Sequence, residues 1–181
     1  MFIYILVIVI VVLALLGMVF INIFNKFQFA IIKLTEAENM IKKALMERLL
    51  IFDRIIPILK DSVKDEDDNK LLDSMIKLKN KKLNSIELNK ELDKCNRKLN
   101  EVLDNNLDLY KQENIDNILK ELSQNRENIE YGTKYYNDNV VYYNKLVKSF
   151  PSNLIAVLFK YKHKEFYENE KEEMFEILKN N

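Results

Sequence analysis

Residues 2–21, FIYILVIVIVVLALLGMVFI, carry no charged side chain, and sixteen of the twenty are Phe, Ile, Leu or Val. No other feature restricts the fold as much. A helix in a water-soluble domain keeps a polar face, and this stretch has none on any side. Twenty helical residues rise about 30 Å, which matches the hydrocarbon core of a bilayer. At roughly −0.3 to −0.6 kcal/mol per central apolar residue, insertion is favoured by several kcal/mol. The run is longer than the apolar segment of about 7–15 residues in a cleaved signal peptide. No Lys or Arg precedes it, and no small-x-small cleavage pattern follows it in Asn22–Lys26. Residues 1–25 are therefore expected to be an uncleaved transmembrane anchor for a domain spanning 26–181. Lys26 and Lys33 follow the run and no basic residue precedes it. The positive-inside rule then places a single-pass protein in the cell membrane, N-terminus outside and body in the cytoplasm.

All 28 basic and 28 acidic residues lie after the span, so the body has no net charge. That balance argues against a general nucleic-acid binder. The single cysteine, Cys95, excludes an intramolecular disulfide. Only two prolines and one glycine interrupt a body rich in Leu, Lys and Glu, which is a helical composition.

The apolar spacing marks the helices. Ile31, Leu34, Ile41, Leu45, Leu49, Phe52, Ile56 and Leu59 follow Phe27 at intervals of mostly three or four. No breaker separates them from the span, so one helix is expected to run from bilayer into body, with a kink or early end at Pro57. KDEDDN (64–69) reads as a loop. A second helix is expected from about Lys70 to Val102, with a phase slip between Ile86 and Leu88 and a later stripe at Leu92, Cys95, Leu99 and Val102. Residues 104–114 read as the next connection. The third helix has apolar or aromatic side chains at every seventh position: Ile115, Leu122, Ile129, Tyr136, Tyr143 and Phe150. That coiled-coil-like heptad ends at Pro151. SNLIAVLF follows as a short apolar element, and residues 165–179 read as a final amphipathic helix. The expected fold is all-α: a transmembrane helix continuing into an antiparallel bundle of three long helices and a shorter C-terminal one.

The stretch YYNDNVVYYNKLVKSFPSNLIAVLF (135–159) is the most distinctive. On the heptad, Tyr136 and Tyr143 face the core as successive rungs, and Asn137 and Asn144 fall on its rim, where they can bond to a neighbouring helix. The same pairs could alternatively form a polar binding ledge. Phe150 is expected to lock the corner into the core, and Ser152 or Asn153 to cap the helix after Pro151. Gly132, on the seam between Ile129 and Tyr136, is expected to permit close helix contact.

These residues resemble the LemA family of bacterial membrane-anchored proteins. The similar pattern is Tyr136-Asn137, Tyr143-Asn144 and then Phe150 to Phe159, including Pro151, Ser152 and Asn153. FNKFQ (24–28) and ALMERLLIFDRIIPIL (44–59) are similar to the family's Asn-rich membrane exit and its Arg-x-x-Leu-Ile-Pro segment. The resemblance covers the anchor, the first body helix and residues 126–168, and FYENEKEEMF departs from it. It implies one N-terminal span, an antiparallel helical bundle and no established enzymatic activity.

Chemistry is thinly represented. One histidine, His163, cannot supply a di-iron bundle site or an HExxH zinc site. Asp65, Asp67 and Asn69 alternate as in a calcium loop, but Lys70 and Ile76 stand where Gly and Glu are needed. No catalytic, cofactor or metal residues are expected, no small-molecule substrate is evident, and Cys95 reads as a buried hydrophobe. Lys148, Lys160, Lys162 and Lys164, with Lys145, His163 and interleaved aromatics, could touch an anionic membrane surface. They are otherwise a solvated face over packed aromatics. Two functions stay open: a non-enzymatic scaffold binding a protein partner or itself, and a lipid-contacting or membrane-remodelling module acting through residues 148–167.

Overall fold

The computed structural model describes residues 1–62, 72–73 and 83–167. Among them are four α-helices: α1 (Phe2–Ser62), α2 (Ser85–Asn105), α3 (Glu113–Lys148) and α4 (Ser152–Leu158). A 3₁₀ turn, Leu107–Lys111, joins α2 to α3. No strand occurs among the described residues, and the chain is an all-α helical bundle. The acidic run 64–69, the calcium-loop comparison, the start of the second expected helix and residues 168–179 of the last one lie outside the described residues. The described residues 165–167 are not helical.

α1 is continuous for 61 residues, so the apolar run and the first body helix are one element. Every side chain from Met1 to Asn22 is exposed. Of the described helices, α1 is the one long and apolar enough to cross a membrane. Pro57 does not end it. The helix runs on to Ser62, because Pro57 lies on the exposed side. There the bond lost to the Asp53 carbonyl falls on the face toward which helices open in any case.

The described residues form two compact units. The first contains Met1–Ala37 and Tyr135–Phe166. Its core joins Ile23, Phe27, Ala30 and Leu34 of α1 to Val140 and Tyr143 of α3 and to Ile155 and Ala156 of α4. The second contains Glu38–Lys134 and Tyr167. In it α1 buries Ile41, Leu45, Phe52, Ile55, Ile56 and Leu59, α2 buries Leu92, Cys95, Leu99, Val102 and Leu103, and α3 buries Ile115, Leu122 and Ile129. In each unit α1 and α3 run antiparallel.

α2 begins where the phase slip falls. Asn84 caps it by accepting from the Glu87 amide at 2.9 Å, and the Glu87 carboxylate accepts from the Asn84 amide at 3.0 Å. This reciprocal box satisfies two donors at the helix start, so Ile86 and Leu88 lie in a first turn rather than mid-helix.

Gly132 acts as the spacing suggested. A Cβ built there would lie 3.0 Å from Ile41 Cγ1, a side chain that is fully buried. Gly132→Ala gains about 1 kcal/mol of helix propensity, against an overpacking cost of about 1–3 kcal/mol. Ile41 is fully buried and must shift to admit the methyl, so the overlap is expected to outweigh the propensity. Gly132→Ala is expected to unfold at lower urea than wild type by far-UV circular dichroism, and Gly132→Leu at much lower. An alanine variant as stable as wild type would mean that the helices are further apart.

Candidate functional site

The Tyr-Asn pairs sit on α3 in the first unit. Tyr143 is buried and meets Phe27 edge-on, with ring centroids 5.9 Å apart and an interplanar angle of 81°. Burial, then the neighbouring Tyr161, raises its phenol above the ordinary tyrosine value. Tyr136 is half-buried against the same core. Asn144 is buried, and its amide makes both bonds to one backbone: Nδ2 donates to the Lys164 carbonyl at 2.8 Å, and Oδ1 accepts from the Lys164 amide at 2.9 Å. The amide thus pairs with one backbone unit as another backbone would, and clasps the segment after α4. Its partner is that segment, not a helix. Asn137 is half-buried.

The corner departs from expectation at three residues. Phe150 is 80% exposed rather than locked into the core. The reason is that α3 ends at Lys148 and the chain bends at Ser149, so the heptad projection stops one rung early. Ser152 and Asn153 do not cap α4. Pro151, joined to Phe150 by a cis peptide, holds the cap position and makes no side-chain bond to the helix. The Ser152 hydroxyl instead serves the end of α3, lying 2.7 Å from the Leu146 carbonyl and 2.8 Å from that of Ser149. Leu146 is among the last carbonyls of α3, which have no amide within their own helix.

α4 closes with the Tyr161 amide on the Ala156 carbonyl (2.8 Å) and the Lys160 amide on that of Val157 (3.2 Å), with Lys160 at φ 56°. This is a Schellman ending built on a lysine in the left-handed region. It turns Tyr161 back onto Phe27, ring centroids 4.8 Å apart, where its hydroxyl accepts from Gln28 Nε2 at 2.9 Å. Lys148, Lys160, Lys162 and Lys164 all have exposed side chains.

In the second unit lies a polar cluster that the sequence reading overlooked. Arg48 of α1 is 4% exposed. Its Nη1 donates to Asp93 Oδ1 at 2.6 Å and its Nε to Asn125 Oδ1 at 3.2 Å. Asn125 Nδ2 donates in turn to the Ala44 carbonyl at 2.8 Å. One charge thus ties α1, α2 and α3 together. The signal was available: Arg48 falls between Leu45 and Phe52 on an apolar stripe, and Asn125 between Leu122 and Ile129 on another. Cys95 is buried in the same unit.

Tyr167 belongs to this unit, and its hydroxyl donates to the Ser85 carbonyl at 3.0 Å. Burial, then Asp93, pushes its phenol up to about 12, with Arg48 opposing. An unfolded tyrosine ionises near pH 10. Between pH about 10 and about 12 the unfolded chain has released this proton while the folded one retains it, so stability falls as pH rises. Tyr167→Phe is expected to flatten that fall in urea midpoints measured from pH 9 to 12. Parallel profiles for wild type and variant would show an unburied phenol.

An open groove of about 570 Å³ runs along α1 and α3 of the second unit, lined by Glu47, Leu50, Arg54, Glu121, Gln124 and Asn128 among others. Arg54 and Glu121 form an ion pair across it, which raises the guanidinium and lowers the carboxyl relative to their ordinary values. Among the described residues no group of three or more His, Cys, Asp or Glu is placed to hold a metal.

The LemA family model matches residues 37–177, more than half of the 181-residue chain. Neither a curated protein nor a solved structure matches it. With the paired Tyr-Asn, the Phe-Pro-Ser-Asn corner and the helical bundle in place, the chain belongs to the LemA family.

Proposed function

We propose that this protein is a membrane-anchored, non-enzymatic bundle that presents its body to a protein partner. The observation that carries this reading is the use made of its polar motif and core residues. Asn144 is spent on the Lys164 backbone, Ser152 on the end of α3, and Arg48 and Asn125 on joining helices. Residues employed in this way build a surface rather than a reaction centre. The groove beside the exposed Leu50, gated by Arg54 and Glu121, is the face best suited to a partner segment that is apolar with charged flanks. The exposed span of α1 supports anchoring, and Lys26 and Lys33 support a cytoplasmic body.

A photo-crosslinking side chain at Leu50, in the full chain expressed in cells, tests this. Adducts with one discrete protein are expected, and they should be lost when Glu121→Arg repels Arg54 and disorders the groove. Adducts at Leu50 no different from those at the exposed Lys134 would overturn the groove. Protease added to intact cells is expected to leave the body uncut, whereas cleavage would reverse the orientation.

A further inference from the structure

We propose that α4 and Phe150 enter the same bilayer that α1 crosses, forming a second membrane contact beside the anchor. This rests on the anchoring reading above.

Four observations in the first unit converge on lipid as the occupant. Phe159 lies against the end of the span, its ring centroid 6.3 Å from Phe20 and 5.2 Å from Phe24. Phe20 belongs to the uncharged run, so α4 sits at the level where α1 leaves the hydrocarbon. α4 buries Ser152, Ile155 and Ala156 and exposes Leu154, Val157 and Leu158, which are 61%, 80% and 66% accessible. Positions i, i+3 and i+4 form one face, so the helix is apolar on both sides and the protein covers only one of them. Phe150 adds a further large apolar side chain. The segment from Ser149 to Phe159 has no charge, yet Lys145 and Lys148 precede it and Lys160, Lys162 and Lys164 follow it. From Asn139 to Lys164 there is no Asp or Glu. An apolar tip with cationic shoulders matches acyl chains below and anionic headgroups above. The tip is also held in place, by the Schellman turn, the Tyr161 ring over Phe27 and the Asn144 clasp on Lys164. The backbone of the tip therefore meets the membrane already ordered, which lowers the cost of contact. The lysines thus set the depth of the tip, and the apolar face of α4 makes the contact.

The test uses full-length protein in vesicles of three parts phosphatidylcholine to one part phosphatidylglycerol, with no other protein present. Single cysteines are placed in a Cys95→Ser background at Val12 in the span, Val157 on α4 and Lys134 on α3. Each carries a spin label whose collision rates with oxygen and with a water-soluble nickel chelate are compared. The label at Val157→Cys is expected to resemble Val12→Cys, with an oxygen-to-nickel ratio several-fold above that of Lys134→Cys. A label at 157 as nickel-accessible as that at 134, with 12 in lipid, overturns the inference and leaves the anchor intact. A label at 157 shielded from both reagents marks contact with another copy of the chain and also overturns it. Nickel access at 12 overturns the anchor, and the inference with it.

Discussion

Arg48→Ala is expected to be among the most damaging substitutions in the second unit, costing about 3 kcal/mol or more. Removing one partner of a buried pair costs about 3–5 kcal/mol, because the remaining polar groups lose a bond that water cannot replace. Here the loss leaves Asn125 Oδ1 without the Arg48 Nε, inside the core and next to a side-chain-sized void. Asp93 moderates the cost, since its side chain keeps about a quarter of its exposure (27%) and can be hydrated. The measurement is urea denaturation of the full chain in detergent micelles, followed by far-UV circular dichroism. The double variant Arg48→Met with Asn125→Leu is expected to recover much of the loss, because well-packed apolar side chains replace buried polar pairs at little cost. An unchanged midpoint for Arg48→Ala would mean that Arg48 reaches solvent.

In the first unit the expected large effect is Phe27→Ala, at about 3–5 kcal/mol. Phe27 is fully buried between Tyr143 and Tyr161, and both rings lose their partner when it is truncated. Phe150→Ala is the contrast. As an exposed side chain outside any core it should change the same midpoint by less than about 0.5 kcal/mol, although extrapolation of the heptad ranks it with the core. Equal destabilisation by the two variants would contradict the burial assigned to both.

The difference between these phenylalanines shows what a periodic pattern can carry. Phe27, Leu34, Ile41, Leu45, Phe52 and Leu59 are all core residues, and the three-and-four spacing identifies them, because a helix in a bundle must bury one stripe. The heptad of α3 identifies Ile115, Leu122, Ile129 and Tyr143 as buried, with Tyr136 half-buried against the same core. It fails at Phe150, because periodicity assumes the helix continues, and the chain bends at Ser149, two residues before Pro151. Asn144 was legible as a rim amide, but its partner was not. The Lys164 backbone is twenty residues away in the chain, and only the turn at Lys160 brings it there. Arg48 is not legible from apolar spacing, because that spacing ranks only the apolar members of a stripe. A charge placed on an apolar stripe needs its partners named, and those lie on other helices.

What the sequence determined by itself is therefore the local and periodic part. It specified a lipid-length apolar run continuing into an all-helical body, the stripes that each helix buries, the close approach at Gly132 and the family pattern at 136–159. These follow from short-range sterics and hydrophobic spacing, which every turn of a helix repeats. Tertiary structure alone decided the partners of the polar residues. It set Asn144 on the returning segment after α4, Ser152 on the helix behind it and Arg48 at the junction of three helices. It also left the outer face of α4 uncovered beside the span. Those outcomes depend on which segments meet in space. The partners of Asn144, Arg48 and Asn125 lie 20 to 81 positions away. Those of Ser152, though only three and six away, sit across a bend that no periodicity marks.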